Sequence, residues 1–158
     1  MIKLCRIDHR LLHGQVAFTW CNALGANAIL IASDEAAGDE IRMATMRLAK
    51  PSGVKLVIKS IEDSIKAINS GVTDKYTLMV VIGSPKDAER LTRACDVIKS
   101  VNLGGSRIRE NTRKLDTAFY ITTEDAEYLK KMLDRGLELE IRQVPEDKKK
   151  IVTEGMLN

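Results

Sequence analysis

The sequence predicts an α/β protein, an open, doubly wound, mainly parallel sheet with helices on both faces. Three observations predict it. Short apolar runs of β type alternate with helical patterns along the chain. Helix start and stop residues fall between them. Parallel strands joined in series need right-handed crossovers, which clothe both sides of one sheet. A chain of 158 residues with 44% apolar content suffices for one ordinary core and is short for two, so residues 1–158 are expected to form one domain.

The elements follow in order. Residues 2–7 read as the first strand, and 12–23 place apolar residues at spacings of three and four, as a crossover helix does. A strand at 28–32 precedes a helix at 35–49, and a strand at 54–58 precedes a helix at 61–69, opened by Ser60 and closed by Gly71. The apolar run 78–82 is the fourth strand; Ser84-Pro85 then sets proline at the first position of a helix over 85–94. Strands are expected at 98–103, 118–121 and 139–144, with a helix at 123–135 whose first turn carries Glu124 and Asp125 and whose end is marked by Gly136. Residues 104–117 are polar and aperiodic, hence a loop long enough to suspect of function. Beyond Pro145 the tail reads as a terminal helix or an arm onto a neighbour.

Charge and composition narrow the function. The formal net charge of +3, with 30% charged and 4% aromatic residues, fits a well-solvated globular surface. It suits an acidic partner or a phosphorylated ligand and falls short of the dense basic stripe of a nucleic-acid binder. Lys148-Lys149-Lys150 reads as solvated surface near the tail. Cys5, Cys21 and Cys95 are odd in number and form no C-x-x-C pair, so neither a disulfide framework nor a thiolate metal site is expected, and a reducing cytosol is. No leader pattern is read at the start, and the apolar runs fall far below the roughly 20 residues of a membrane span.

The stretch Arg6-Ile7-Asp8-His9-Arg10-Leu11-Leu12-His13-Gly14-Gln15-Val16 gathers both histidines of the chain with two arginines and an aspartate. It follows the first strand, where ligands of such sheets bind. Arg6, Asp8 and Arg10, two apart, share one face while the chain stays extended, with Ile7 on the other. The helical pattern starts near Leu12, placing His13 and the amides around Gly14 and Gln15 at a helix N-terminus, where unpaired N–H groups favour an anion. Such surroundings favour an imidazole that attacks as a neutral nucleophile, and Asp8 is suited to fix its tautomer. Phosphoryl transfer through a phosphohistidine is the chemistry this composition suits, with guanidinium groups and amides neutralising oxygen charge. A plainer reading stands beside it, in which His13 caps or packs a helix and the charges form surface ion pairs. His9 and His13 are four apart, but His9 falls outside the helix and no third histidine exists, so a metal site is not expected.

At these residues the chain resembles the IIB component of the mannose/fructose/sorbose family of the bacterial phosphoenolpyruvate-dependent sugar phosphotransferase system. That family shows an Arg-x-Asp-acid-Arg run and, after two intervening apolar residues, His-Gly-Gln-Val, with a tryptophan where Trp20 stands. Ser33-Asp34-Glu35, Lys50-Pro51 and Asn102-Leu103-Gly104-Gly105 match further turns, so the likeness runs across the chain.

The resemblance implies that His13 receives a phosphoryl group from a phosphorylated IIA component and passes it to a sugar delivered by membrane IIC and IID components. Asp8 is then the orienting residue, Arg6 and Arg10 the phosphate-stabilising ones, and Gly14, Gln15, Gly104, Gly105 and Arg107 candidate phosphate or substrate contacts. It also implies a homodimer, no cofactor, and a cytoplasmic protein held at the membrane through IIC and IID. Gly104-Gly105 equally suits tight backbone geometry, and Arg107 equally suits a loop surface. One departure is visible: the slot between Asp8 and Arg10, usually acidic in the family, holds His9. A nucleotide- or phosphate-binding module without turnover is a competing class, but the chain lacks a Walker lysine motif and a G-x-G-x-x-G after a strand. A regulatory domain whose charged loop is an interface is another.

Overall fold

The computed structural model describes residues 1–158 throughout. Strands β2 (Ala28–Ala32) and β4 (Leu78–Ile82) read AILIA and LMVVI and are buried at every position. Strands apolar throughout belong in the middle of a parallel sheet covered on both faces. Here they pair with each other, β3 (Lys55–Lys59) flanks β2, and β1 (Ile2–Asp8) flanks β4. Beyond β1 come β5 (Ser100–Gly105), β8 (Glu138–Ile141) and a short antiparallel β9 (Lys150–Ile151), giving seven strands in the order β3-β2-β4-β1-β5-β8-β9.

Helices α1 (Gly14–Leu24), α2 (Asp34–Ala37) and α3 (Glu40–Ala49) bury Ala17, Trp20, Cys21, Ala36 and Met46 in one core on one face. On the other face, α4 (Ile61–Ser70), α5 (Pro85–Ala94), α6 (Thr123–Asp134) and α7 (Glu154–Leu157) supply Ile61, Ile68, Leu91, Leu129 and Leu157 to a larger core. The connection leaving β1 thus enters a helix on one face, while those leaving β4 and β5, its neighbours on either side, lead to helices on the other. Such a divergence opens a crevice at the carboxyl ends of the strands.

The expected doubly wound architecture is present, with four local differences. The helix expected at 35–49 is two helices, because Gly38 is poor helix material and Asp39 captures the Arg42 amide at 3.0 Å, starting α3 afresh. The expected loop 104–117 is partly strand: β5 runs on to Gly105, and β6 (Arg113–Asp116) pairs antiparallel with β7 (Phe119–Ile121). Residues 118–121, expected among the βα units, therefore stand in a separate hairpin; alternation of buried and half-buried residues marks a strand without naming its partner. The tail ends in a terminal helix, as one of its two expected forms, but only the one-turn α7, and ahead of it the chain returns to its own sheet as β9, with Val152 and Leu157 buried.

Candidate active site

Arg6 and Asp8 share the sheet face of α1, since the alternation of β1 sends Leu4 to that core and Ile7 to the other. The alternation ends at Asp8. The Leu11 amide donates to the Asp8 carbonyl at 2.9 Å, and Leu11 takes φ 59, a left-handed conformation rare for a branched residue, while its side chain stays buried. This turn brings the chain back so that His13, still extended at φ −147 and ψ 131, sits at the N-cap of α1 facing Asp8.

His13 makes no capping hydrogen bond. Its Nε2 lies 2.9 Å from Asp8 Oδ2 instead. The first intrahelical bond of α1 comes from the Ala17 amide to the His13 carbonyl at 3.4 Å, so the amides of Gly14, Gln15 and Val16 lack a partner within the helix. His13 and Val16 bracket this turn and both line a cavity of about 390 Å³.

Asp8 is the hub of the site. Oδ2 also accepts from Arg6 Nη2 at 3.2 Å, and Oδ1 accepts the Arg10 amide at 3.0 Å. Burial pushes the Asp8 carboxyl up, but the His13 and Arg10 hydrogen bonds and the Arg6 charge outweigh it, holding the group below the ordinary carboxylate range. The carboxylate is therefore charged at neutral pH. Arg6 is buried as well, and its Nη1 donates to Asn102 Oδ1 at 2.8 Å and to the Arg142 carbonyl at 3.1 Å. Burial lowers the Arg6 pKa, and the charge and hydrogen bond of Asp8 and the charge of Glu140 oppose that shift.

The ring of Trp20 carries the Arg6 guanidinium at 5.6 Å and that of Arg142 at 5.0 Å from its centroid, and its Nε1 donates to the Gln143 carbonyl at 3.0 Å. Gly104 explains how Arg6 fits. A Cβ there would stand 2.0 Å from Arg6 Cζ, so the guanidinium occupies the space a side chain would need. Gly105, paired with Asp8 across the strands, would bring a Cβ no nearer than 3.6 Å to that residue.

The sequence-derived candidates thus separate. Arg6, Asp8, Arg10, His13, Gly104 and Gly105 line one cavity. Arg10 is exposed, and its guanidinium is engaged in no ion pair or side-chain hydrogen bond. Gln15 is exposed and does not line the cavity. Arg107 lines a larger cleft of about 540 Å³ next to it, with Ser84, Lys86 and Glu124, and His9 lines both. No group of three or more His, Cys, Asp or Glu side chains is placed to hold a metal ion. Residues the motif reading passed over are the Asn102 side chain, Glu140, Arg142 and Gln143. Their signal was the alternation Glu140-Ile141-Arg142, charges on every second residue at a strand end, the same pattern that marks Arg6 and Asp8. Glu140 is buried and pairs with Arg142 at 3.2 Å.

The comparisons with known proteins give the family of the chain. The family model described as the PTS system sorbose subfamily IIB component matches residues 2–157. The chain is 34% identical over 146 residues to the fructose-specific EIIB component of Bacillus subtilis strain 168, covering 92% of this chain and 90% of that one. It is 35% identical over 149 residues to the mannose-specific EIIAB component of Escherichia coli K12, covering 94% of this chain but 46% of that protein, so it spans about half the length of that relative. Among solved structures, the IIBSor domain of the sorbose permease from Klebsiella pneumoniae superposes with a TM-score of 0.89 at 29% identity, over 94% of this chain and 91% of that one. No helix is long and apolar enough to cross a membrane. The chain belongs to the sorbose subfamily of phosphotransferase-system IIB components, within the mannose/fructose/sorbose family.

Proposed function

We propose that residues 1–158 act as one phosphocarrier domain in which His13 Nδ1 accepts the phosphoryl group. The observation that carries this is the 2.9 Å contact between His13 Nε2 and Asp8 Oδ2. A charged carboxylate needs a donor, so Nε2 bears the proton and Nδ1 keeps its lone pair. In the forward step Nδ1 attacks phosphorus, an N–P bond forms, and the bond from phosphorus to the donor histidine of phospho-IIA breaks. Asp8 stabilises the positive charge that develops on the ring. Arg10 at the cavity rim and the unpaired amides of α1 take the phosphoryl oxygens, while Arg6 holds Asp8 and adds positive charge behind it. In the second step a sugar hydroxyl attacks phosphorus and gives up its proton to solvent, the N–P bond breaks with its electron pair returning to Nδ1, and His13 regains its starting tautomer.

The partners in this proposal are the phosphorylated IIA component, the membrane IIC and IID components and the sugar, with the protein cytoplasmic and held at the membrane through IIC and IID. The mild positive charge and the IIA portion of the EIIAB relative support it. Assembly as a homodimer is part of the proposal, with sedimentation equilibrium as its readout.

The deciding experiment incubates the protein with phosphoenolpyruvate, the general phosphotransferase proteins and IIA, then maps the phosphate by mass spectrometry at neutral pH. A single acid-labile phosphate on His13, absent from His13→Ala, is expected. Phosphate on His9, or label persisting in His13→Ala, overturns the assignment.

A further inference from the structure

Two imidazoles flank the one carboxylate of Asp8. His13 Nε2 sits on Oδ2 at 2.9 Å, and His9 Nδ1 stands 3.9 Å from Oδ1. The second distance is too long for a hydrogen bond, and His9 Nδ1 is enclosed with no partner at all. The backbone of His9 is pinned, its amide donating to the Gly105 carbonyl at 3.2 Å, while its side chain keeps 31% exposure, so the ring exchanges protons with solvent. It lines the same cavity as His13.

We propose that His9 takes up a proton as His13 is phosphorylated and thereby couples retention of the phosphoryl group to pH. The proposal rests on the reading of His13 given above.

The charges around His9 are poised for this. Burial lowers its pKa, the Asp8 charge and the Gly105 carbonyl raise it, and Arg10 and Arg107 lower it further, so in the free protein the ring is neutral at pH 7. Across the larger cleft that His9 also lines, Glu35, Asp87, Glu124 and Asp125 stand against Arg42, Lys86 and Arg109. Phosphorylation places up to about two negative charges on the phosphoryl oxygens and one positive charge on the His13 ring, a net gain of about one negative charge in the smaller cavity, and removes no cation. The new anion favours the charged form of His9. A proton from solvent then binds the ring, and it returns to solvent when the phosphoryl group leaves. Coupling of this kind is reciprocal: whatever raises the His9 pKa on phosphorylation stabilises the phosphorylated state by the same factor once His9 is protonated. The sign follows. The advantage is complete below the His9 midpoint of the free protein and is lost as pH rises through the higher midpoint of the phosphorylated form.

The chain has two histidines, so their ring proton resonances are few enough to follow singly by NMR, with His9→Asn identifying His9. Titration from about pH 5.5 to about 8.5, with His13 free and then loaded from phospho-IIA, is expected to move the His9 midpoint up by about one unit. The exchange equilibrium with phospho-IIA is then expected to favour the wild-type phosphoprotein about tenfold more at the acid end of that range than at the alkaline end, relative to His9→Asn. A His9 midpoint that stays put while His13 carries phosphate overturns the coupling and leaves the His13 assignment standing. Phosphate that never reaches His13 overturns the earlier reading instead. Should His9→Asn fail to fold, the wild-type titration decides alone.

Discussion

Helices α1 and α5 follow adjacent strands, β1 and β4, and begin at the same edge of the sheet, yet they begin differently. At α5, Ser84 Oγ accepts the Asp87 amide at 3.2 Å and proline fills the first turn, so the helix closes its own end. Ser33, Asp39, Ser60 and Thr122 close α2, α3, α4 and α6 in the same way. At α1 the N-cap residue is His13, and its side chain turns to Asp8. A good cap is worth about 1 kcal/mol, and α1 forgoes it. The contrast supports the proposed anion site: a helix that leaves its first amides open beside a buried arginine and a charged aspartate is suited to oxygens from elsewhere. The larger cleft beside α5 and α6 has more space but capped helix ends, with Arg109 paired to Asp125 at 3.3 Å.

The strongest way to break the contrast is to undo the contact that draws His13 from the cap. Asp8→Asn removes the charge that fixes the His13 proton on Nε2 and leaves Arg6 buried without its counter-charge. Phosphoryl acceptance from phospho-IIA is expected to fall by at least about a hundredfold. Stability is expected to fall by about 3–5 kcal/mol, since an uncompensated buried cation remains. The acid side gives a second reading. The folded Asp8 pKa is depressed, so its stabilisation is present above the unfolded value and is lost as pH falls through the lower folded one. Urea unfolding of the wild type below about pH 4 is expected to show that loss, and Asp8→Asn to lack this component. A variant that accepts phosphoryl groups at the wild-type rate would remove Asp8 from the mechanism.

A smaller effect separates two neighbouring glycines. Gly104→Ala drives a methyl into the Arg6 guanidinium, which the surrounding bonds to Asn102, Asp8 and the Arg142 carbonyl hold in place. Overpacking of this kind costs about 1–3 kcal/mol, and a displaced Arg6 loosens Asp8, so acceptance is expected to drop about tenfold. Gly105→Ala meets Asp8 at ordinary contact distance and is expected to stay within about 0.5 kcal/mol of the wild type. Denaturation midpoints and initial rates of the two variants check this, and equal effects would mean that the Gly104 cradle is not what places Arg6.

These glycines also mark how far the sequence could be read. The core strands and the place of His13 beside Asp8 at the start of α1 are legible because their signals are local: five-residue apolar runs for β2 and β4, and eleven contiguous residues for the motif. That Gly104 and Gly105 adjoin the site followed from resemblance, but their unequal roles did not, because each depends on which side chain the neighbouring strand aims at it. Resemblance makes Arg6 a phosphate-stabilising residue, while its bonds run to partners 96 and 136 residues away, at Asn102 and the Arg142 carbonyl, which no local pattern reveals. Arg107, by resemblance a candidate contact and equally suited to a loop surface, lies along the other cleft. The break between α2 and α3 was available in Gly38-Asp39, but apolar spacing carried across it.

The mildest test addresses the other side of the contrast. Ser84→Ala removes the α5 cap without touching Asp8 or His13, so its cost is that of one unpaired amide at a helix end, about 1 kcal/mol in urea unfolding. Because Ser84 lines the larger cleft and not the His13 cavity, phosphoryl acceptance is expected to stay at the wild-type rate. Stability and transfer would then move independently at α5, whereas at Asp8 they fall together. A fall in transfer for Ser84→Ala larger than its small loss of folded protein explains would show that the capped end of α5 also handles the phosphoryl group. The open end of α1 would then no longer be what distinguishes the reacting cavity.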